Sequence, residues 1–297
     1  MTLDSLFENF LTQQALPSSY KKIAEQHFIP LAQRIYEQAM ASEQPIIVGI
    51  NGCQGSGKST VTDLLTLLLN EYHACPAMGM SIDDFYLTQQ QRNQLAEQVH
   101  PLFATRGVPG THNTELMHET LNRLKNSQLP VQIPKFNKAI DNPYPQAQWP
   151  LVEQPVKVIL FEGWCVAAMP QADSELVEPV NKLEREEDPK AIWRGYANKK
   201  LAEEYQQLFS LIDRIVMLKA PGFHTVQAWR LQQEHKLRDR VTKEKGDSSA
   251  VMSDEQVERF IQHYQRVTQN CFNQLPEKAD ELFLMDEQRQ IQQSVCR

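Results

Sequence analysis

The sequence lacks the features that mark several large classes of protein. Its five cysteines include no C-x-x-C pair, which argues against both a disulfide framework and a zinc site. No apolar run approaches the roughly 20 residues that a membrane-spanning helix needs. The N-terminus has no basic segment followed by an apolar core, so we expect no secretory signal, no membrane partner and a cytoplasmic location.

Basic charge is also in short supply. The 297 residues include 30 Lys and Arg against 37 Asp and Glu, which gives a formal net charge of −7. A domain that binds nucleic acid normally carries a basic stripe, so we expect no nucleic-acid partner. Nucleotides are not excluded, because local cations and backbone N–H groups bind phosphate whatever the total charge. Nothing in the sequence indicates an oligomeric state.

Glycine is scarce, yet its placement is informative. Four of the eleven glycines fall between Gly49 and Gly57, where the chain matches the phosphate-binding pattern G-x-x-x-x-G-K-[ST] in full. An apolar run precedes the pattern and an amphipathic helical pattern follows it, which is the context that a phosphate loop requires; the alternative is a chance glycine-rich turn. We expect ATP to be bound by Gly52, Cys53, Gln54, Gly55, Ser56, Gly57, Lys58, Ser59 and Thr60.

The apolar pattern along the chain predicts the fold class. Short buried strands are expected over 45–50, 76–82, 156–161, 212–218 and 281–285, and helical patterns separate them. This alternation predicts an α/β fold of the P-loop NTPase type: a parallel sheet of about five strands with helices on both faces, plus an N-terminal helical extension. The proline-rich stretch 129–155 is expected to be irregular loop. The acidic stretch 184–188 is expected to be a solvated face.

Motifs of other P-loop classes are missing. The chain has no N-K-x-D string, and its third strand ends in Phe161-Glu162-Gly163 where a GTPase would have D-x-x-G. No second nucleotide motif indicates a motor. A small-molecule kinase remains, and it needs a base near the acceptor hydroxyl, an acid near Mg²⁺ and cations over the transferred phosphoryl group.

Candidates for these roles follow the predicted strands. Ligands of open parallel sheets bind at the carboxyl ends of the strands. Asp83 and Asp84 come after the second strand and Glu162 after the third, while Lys58 and Ser59 are expected to meet the β/γ-phosphates and Mg²⁺. The helix after the fourth strand carries the cations Arg230, Lys236, Arg238 and Arg240. Asp84 is equally well explained as a helix N-cap, and Arg230, Glu234 and Arg238 as a solvated salt-bridge ladder.

Further segments resemble the glycerate 3-kinase-like branch of P-loop kinases, which groups with uridine kinase, phosphoribulokinase and pantothenate kinase. These segments are Ser81–Tyr86, Arg106–His112, Phe161–Trp164, Trp229–Glu234 and Met252–Val257. The resemblance runs from about Pro45 to Met285 and implies a P-loop kinase domain over 44–297, with a lid at about 222–250, whereas apolar residues at helical spacing predict the N-terminal helical extension over 1–43.

The same resemblance implies roles for individual residues. Asp83 would be the catalytic base, close to Mg²⁺ and to the acceptor, and Glu162 the acid near Mg²⁺. Arg238, together with Lys236, would be a lid cation that acts in catalysis beside Lys58. The acceptor-binding region would include Tyr86, Arg106, His112 and Lys135.

The acceptor is less well defined by the sequence. Asn137 stands where glycerate-kinase relatives usually carry an aspartate, and Asp141-Asn-Pro-Tyr-Pro145 replaces a glycine-rich segment. The cations of the acceptor region favour a carboxylate-bearing hydroxy acid such as D-glycerate, although Arg106 and Lys135 could instead contact only ATP or solvent. Pantothenate, a nucleoside and a non-catalytic nucleotide-binding role are the alternatives.

Overall fold

A computed structural model describes residues 3–243 and 251–297, without the side chains of 240–243. Its central feature is a six-stranded sheet with the strand order β10-β9-β8-β1-β7-β2. All neighbours pair in parallel except β9 and β10, which form an antiparallel pair at one edge. The ten strands are β1 Ile46–Gly52, β2 Ala77–Ser81, β3 Val131–Gln132, β4 Phe136–Asn137, β5 Asn142–Pro143, β6 Leu151–Val152, β7 Val158–Gly163, β8 Arg214–Lys219, β9 Glu281–Met285 and β10 Ile291–Cys296.

Helices connect the strands and flank the sheet. The α-helices are α1 Leu3–Gln13, α2 Ser19–Ile23, α3 Ile29–Ala41, α4 Lys58–Leu67, α5 Gln89–Gln98, α6 Thr114–Lys125, α7 Lys182–Glu187, α8 Ile192–Lys200, α9 Gln206–Phe209, α10 Phe223–Lys243 and α11 Asp254–Gln274. One-turn π segments follow α2, α4 and α8. The predicted α/β class with a parallel sheet is therefore confirmed, and β10 is an additional strand. No helix of the described residues is long and apolar enough to cross a membrane.

The N-terminal helices pack into the same core as the sheet. Phe7, Phe28 and Ile35 are buried in one hydrophobic cluster with residues of β1 and β7. The rings of Phe28 and Phe283, on β9, meet edge to face at 5.6 Å. This packing holds the N-terminal helices against the outer part of the sheet.

Two predictions for irregular segments are corrected by the structure. Within 129–155, β3 pairs with β6 and β4 pairs with β5, because backbone groups in a proline-rich stretch still need hydrogen-bond partners. The acidic stretch 184–188 is not a solvated face throughout. Glu184 and Asp188 are buried, because Arg266 binds Glu184 at 2.7 Å and Arg194 binds Asp188 at 3.0 Å.

The strand order brings the predicted site segments together at the carboxyl ends of the parallel strands. β7 lies between β1 and β2, and Glu162 is in register with Ile50 on one side and with Ser81 on the other. The phosphate loop after β1 and the short helix Ile82–Phe85 after β2 therefore flank the carboxyl end of β7. Parallel strands thus bring together three segments that are far apart in the sequence.

Candidate functional site

The phosphate loop connects β1 to α4 through a turn that depends on glycine. Gly55 and Gly57 have φ angles of 79° and 85°, a region that side chains rarely adopt. A Cβ on Gly55 would also lie 2.6 Å from the Cβ of Trp229. Helix α4 begins at Lys58, so its unpaired N–H groups and positive dipole end lie at the loop. The loop is therefore built as an anion-binding site.

Glu162 joins the phosphate loop to the end of β7. The Ser59 hydroxyl donates to its Oε1 at 2.8 Å, and Lys58 Nζ lies 3.9 Å from its Oε2. Glu162 is buried, and its Oε2 has no hydrogen-bond partner among the described residues. A buried carboxylate oxygen without a donor is costly, so it fits a site that is completed by a bound cation.

Asp83 accepts two hydrogen bonds at the end of β2. Tyr86 donates to its Oδ1 at 2.8 Å, and Lys138 donates to its Oδ2 at 2.7 Å. Burial raises the pKa of Asp83, but the charges of Lys138 and Lys58 and these two hydrogen bonds outweigh it and hold the pKa well below its usual range. Asp83 is therefore a carboxylate at neutral pH and can accept a hydrogen bond from an alcohol.

Asp84 has a different set of partners. Lys135 donates to its Oδ2 at 2.6 Å, and the backbone N–H of Phe136 donates to its Oδ1 at 3.3 Å. These contacts fix β4 against the end of β2. The neighbouring carboxylates are thus separated by role: Asp83 faces the site, while Asp84 holds the segment that carries Lys138.

The side chain of Arg106 contacts two residues in or near β4, Asp141 and Phe136. Its Nη1 pairs with Asp141, and its guanidinium carbon lies 5.6 Å from the ring centroid of Phe136. Asp141 is also bound by the buried Arg92 at 2.5 Å, so its charge is shared by two arginines. Among the described residues, the only side-chain hydrogen bond that the Arg106 guanidinium donates is the one from Nη1 to Asp141.

Tyr86 connects Asp83 to a buried aromatic group. Its ring stacks on His112 at 4.4 Å, and His112 Nδ1 lies 2.6 Å from the hydroxyl of Tyr205. Burial lowers the pKa of His112 to about 4, so its ring is neutral at neutral pH. His112 therefore supports the tyrosine that orients Asp83.

A cavity of about 390 Å³ joins these groups. Its wall includes Lys58, Ser59, Asp83, Tyr86, Arg106, Lys138, Glu162, Trp164, Arg230, Glu234 and Tyr264. The structure thus brings Asp83, Tyr86, Arg106 and Glu162 to the phosphate loop. His112 and Lys135 do not line this cavity: His112 lies behind Tyr86 and Lys135 faces Asp84. The cavity therefore holds the Asp83 carboxylate and the anion-binding loop in one space.

The cations of helix α10 differ in their partners and in their position relative to the cavity. Arg230 lines the cavity and binds Glu234 at 2.7 Å, and Glu234 is buried, so this pair is not a solvated ladder. Arg238 donates to the carbonyl of Met252 and to Asp254, and it does not line this cavity. The side chain of Arg240, and part of the lid predicted at about 222–250, lie outside the described residues.

Several site residues were not singled out by the sequence. Trp164, the last residue of the segment Phe161–Trp164, is buried, lines the cavity and meets Tyr264 edge to face at 4.8 Å. Arg289, in the turn between β9 and β10, donates to the carbonyl of Gly55 at 2.7 Å and stacks over Trp229. Trp164 lies two residues after Glu162, which is a usable signal, but no local pattern around Tyr264 or Arg289 indicates a site.

Comparison with known proteins gives consistent matches. A family model described as Phosphoribulokinase / Uridine kinase family matches residues 47–174. The chain is 35% identical over 238 residues to the uncharacterized kinase mug58 of Schizosaccharomyces pombe, covering 77% of this chain and 81% of the relative. It is 32% identical over 229 residues to the chloroplastic D-glycerate 3-kinase of Arabidopsis thaliana, covering 74% of this chain and 46% of that protein. A solved D-glycerate 3-kinase from Cryptococcus neoformans superposes with a TM-score of 0.73 at 25% identity, covering 92% of this chain and 98% of that one.

Proposed function

Since this chain belongs to the phosphoribulokinase/uridine kinase family of kinases, we propose that it transfers the γ-phosphate of ATP to a hydroxyl of a small hydroxy acid, with D-glycerate as the first candidate. The observation that carries this proposal is the cavity in which Asp83 faces the phosphate loop beside Arg106, Lys138 and Arg230. The donor's phosphates, the acceptor hydroxyl and the acceptor's negative charge each have a matching group there.

The proposed reaction follows from these positions. Lys58 and the N–H groups of the loop hold the β- and γ-phosphates, and Asp83 accepts the hydrogen bond of the acceptor hydroxyl. The oxygen attacks the γ-phosphorus, the bond to the β-phosphate oxygen breaks, and the hydroxyl proton passes to Asp83. A lowered pKa makes Asp83 a weak base, which suits a transition state in which the proton leaves late.

The charge of the cavity supports an acidic acceptor. Arg106 pairs with Asp141 through Nη1, so its Nε and Nη2 can still donate to another group. A guanidinium binds a carboxylate through two parallel hydrogen bonds. Lys138 is more than half exposed, so it can move from Asp83 to an incoming carboxylate at little cost. That movement would raise the pKa of Asp83 and make it a better proton acceptor when the substrate is bound.

Two of the matched proteins are named D-glycerate 3-kinase, which is why D-glycerate is the first acceptor to test. The aromatic residues at the cavity already contact other rings, since Tyr86 stacks on His112 and Trp164 meets Tyr264. They therefore offer little free surface for stacking a nucleoside base. A nucleoside remains the comparison that tests the charge argument.

The site also fits Mg²⁺. Ser59 and Glu162 provide a hydroxyl and a carboxylate at 2.8 Å from each other, and the second oxygen of Glu162 has no partner among the described residues. The described residues contain no group of three or more His, Cys, Asp and Glu that could hold a metal. This suits Mg²⁺, which is usually held by one or two protein oxygens, water and the phosphates. When bound, the ion would neutralise charge on the phosphates, and Asp83 is a further candidate neighbour.

The Mg²⁺ assignment predicts the effect of Glu162→Gln. We expect the Mg²⁺ concentration for half-maximal activity to rise by roughly tenfold, because an amide binds a hard cation more weakly than a carboxylate. A magnesium titration at saturating ATP measures this shift. Glu187→Gln is the matched control, since Glu187 is exposed and pairs with Arg259 far along the chain. An unchanged titration for Glu162→Gln would give Glu162 a purely structural role.

The acceptor assignment predicts the effect of Arg106→Ala. We expect the KM for the hydroxy acid to rise about tenfold or more, because a hydrogen bond to a charged group contributes roughly 1.5–3 kcal/mol. The KM for ATP should change far less. Arg106→Lys keeps the charge but not the planar fork, so it should restore only part of the loss.

A coupled assay for ADP with D-glycerate, other hydroxy acids, pantothenate and uridine identifies the acceptor before the variants are compared. D-Glycerate or a related hydroxy acid should give the highest kcat/KM. A clear preference for uridine, or an Arg106→Ala enzyme with unchanged acceptor KM, would contradict the proposed acceptor and leave the kinase family unaffected.

A further inference from the structure

A second cavity lies beside the phosphate loop. Its volume is about 400 Å³, and it is lined by Gly57, Thr60 and other residues of the loop and of α4. Gly55 and Gln233 line both this cavity and the one that contains Asp83. A triphosphate held along the loop can therefore direct its γ-phosphate towards Asp83 while the rest of the nucleotide occupies the second cavity.

The N-terminal helices provide much of the wall of this second cavity. The contributing residues are Ala15, Leu16, Pro17, Ser19, Tyr20, Ile23 and Phe28. The turn between β9 and β10 adds Gln288, Arg289 and Gln290. An apolar and aromatic wall with a few polar groups is typical of a site for a flat heterocycle that must also be oriented.

Tyr20 is the most informative residue of this wall. Its ring centroid lies 6.2 Å from that of Phe28, and its buried hydroxyl has no hydrogen-bond partner among the described residues. Burial, with a smaller contribution from Asp63, raises the pKa of Tyr20, so the hydroxyl stays protonated and can donate. Because the hydroxyl itself is enclosed, the ring of Tyr20 is the part that can contact a molecule in the cavity, and a flat heterocycle packs well against such a ring.

We propose that residues 15–28 form one wall of the binding site for the nucleoside part of ATP, and that Tyr20 contacts the base or the ribose. This inference rests on the proposed function, because it takes ATP as the phosphoryl donor. The N-terminal helices then contribute directly to ATP affinity, in addition to packing against the sheet.

The test compares two ligands that share the phosphates and differ in the nucleoside. Calorimetry gives the Kd of ATP and of inorganic tripolyphosphate for the full chain and for Tyr20→Ala. We expect the wild-type protein to bind ATP more tightly than tripolyphosphate. In Tyr20→Ala, the Kd of ATP should rise roughly tenfold, equivalent to about 1.4 kcal/mol, while the Kd of tripolyphosphate stays unchanged.

Tyr36→Ala is the matched control. Tyr36 is also a partly buried tyrosine of the N-terminal helices, but it stacks on His73 at 4.9 Å and lines neither cavity. It should change neither Kd. If Tyr20→Ala does not fold, Leu16→Ala replaces it with the same expectation, since Leu16 lies in the same wall.

Two results would overturn this inference while leaving the proposed function standing. One is an unchanged ATP affinity in a folded variant. The other is an equal loss of affinity for ATP and tripolyphosphate, which would mean that the substitution disturbs the phosphate loop. A wild-type chain that binds neither ligand would instead contradict the proposed function and this inference together.

Discussion

Lys58→Ala is expected to reduce ATP turnover to background, a loss of roughly a thousandfold or more, which is the scale of cationic groups in phosphoryl transfer. Lys58 begins α4 at the phosphate loop, and its ammonium lies 3.9 Å from Glu162. Without it, the charge that develops on the β- and γ-phosphates is not neutralised. Release of ADP in the presence of the acceptor measures the effect.

The fold should survive this change. The hydrogen bond from Ser59 to Glu162 remains, and Lys58 makes no other ion pair among the described residues. Lys157→Ala is a suitable control, because Lys157 precedes β7 and so lies at the amino ends of the parallel strands, opposite to the phosphate loop. Its activity and melting temperature should equal those of the wild type. Turnover near the wild-type rate in Lys58→Ala would end the interpretation of this loop as catalytic.

Asp83→Asn has the second largest expected effect. We expect kcat to fall by roughly a hundredfold or more, the range for loss of a general base. An amide cannot take the hydroxyl proton, and it also loses the charge that binds Lys138. Steady-state kinetics with saturating ATP and acceptor measure kcat directly.

Asp84→Asn is the matched control for the base. Asp84 binds Lys135 and the backbone of Phe136, so its loss should loosen β4 and cost clearly less activity. The lowered pKa of Asp83 adds a pH expectation: its carboxylate is ionised well below neutrality, so protonation of Asp83 in the free enzyme should not reduce activity near neutral pH. A larger loss in Asp84→Asn than in Asp83→Asn would exchange the roles of the two residues.

The sequence predicts the parts of the site that lie in continuous segments. The phosphate loop needs glycines at fixed positions, and the apolar strands before Asp83 and Glu162 identify the ends at which these carboxylates lie. Both features are local, so they can be read without the structure. The α/β class and the parallel sheet follow from the same alternation of strands and helices.

Contacts between distant segments could not be predicted in this way. Tyr264 reaches the cavity from α11, and Arg289 reaches the carbonyl of Gly55 from a turn 234 residues away in the sequence. Neither residue stands in a pattern that differs from ordinary helix or turn sequence. The burial of Glu184 likewise depends on Arg266, which lies in a helix 82 residues further on.

The antiparallel strand β10 was missed for a related reason. Half of its residues Ile291–Cys296 are polar, and only Ile291 and Val295 are partly buried while the others are exposed, because it lies at the edge of the sheet. An edge strand has a weak apolar signal. It pairs with β9, and the turn between the two strands contacts the phosphate loop through Arg289.

The central claim is that the γ-phosphate of ATP is transferred, in this cavity, to a hydroxyl of a small hydroxy acid. Phosphorus NMR of the purified chain with ATP, Mg²⁺ and D-glycerate tests it most directly, because it follows the transferred group itself. The account predicts that a phosphomonoester of glycerate and ADP appear in equal amounts, and that both are absent with Lys58→Ala. Release of inorganic phosphate alone, with no phosphomonoester from D-glycerate or any other hydroxy acid, would contradict it.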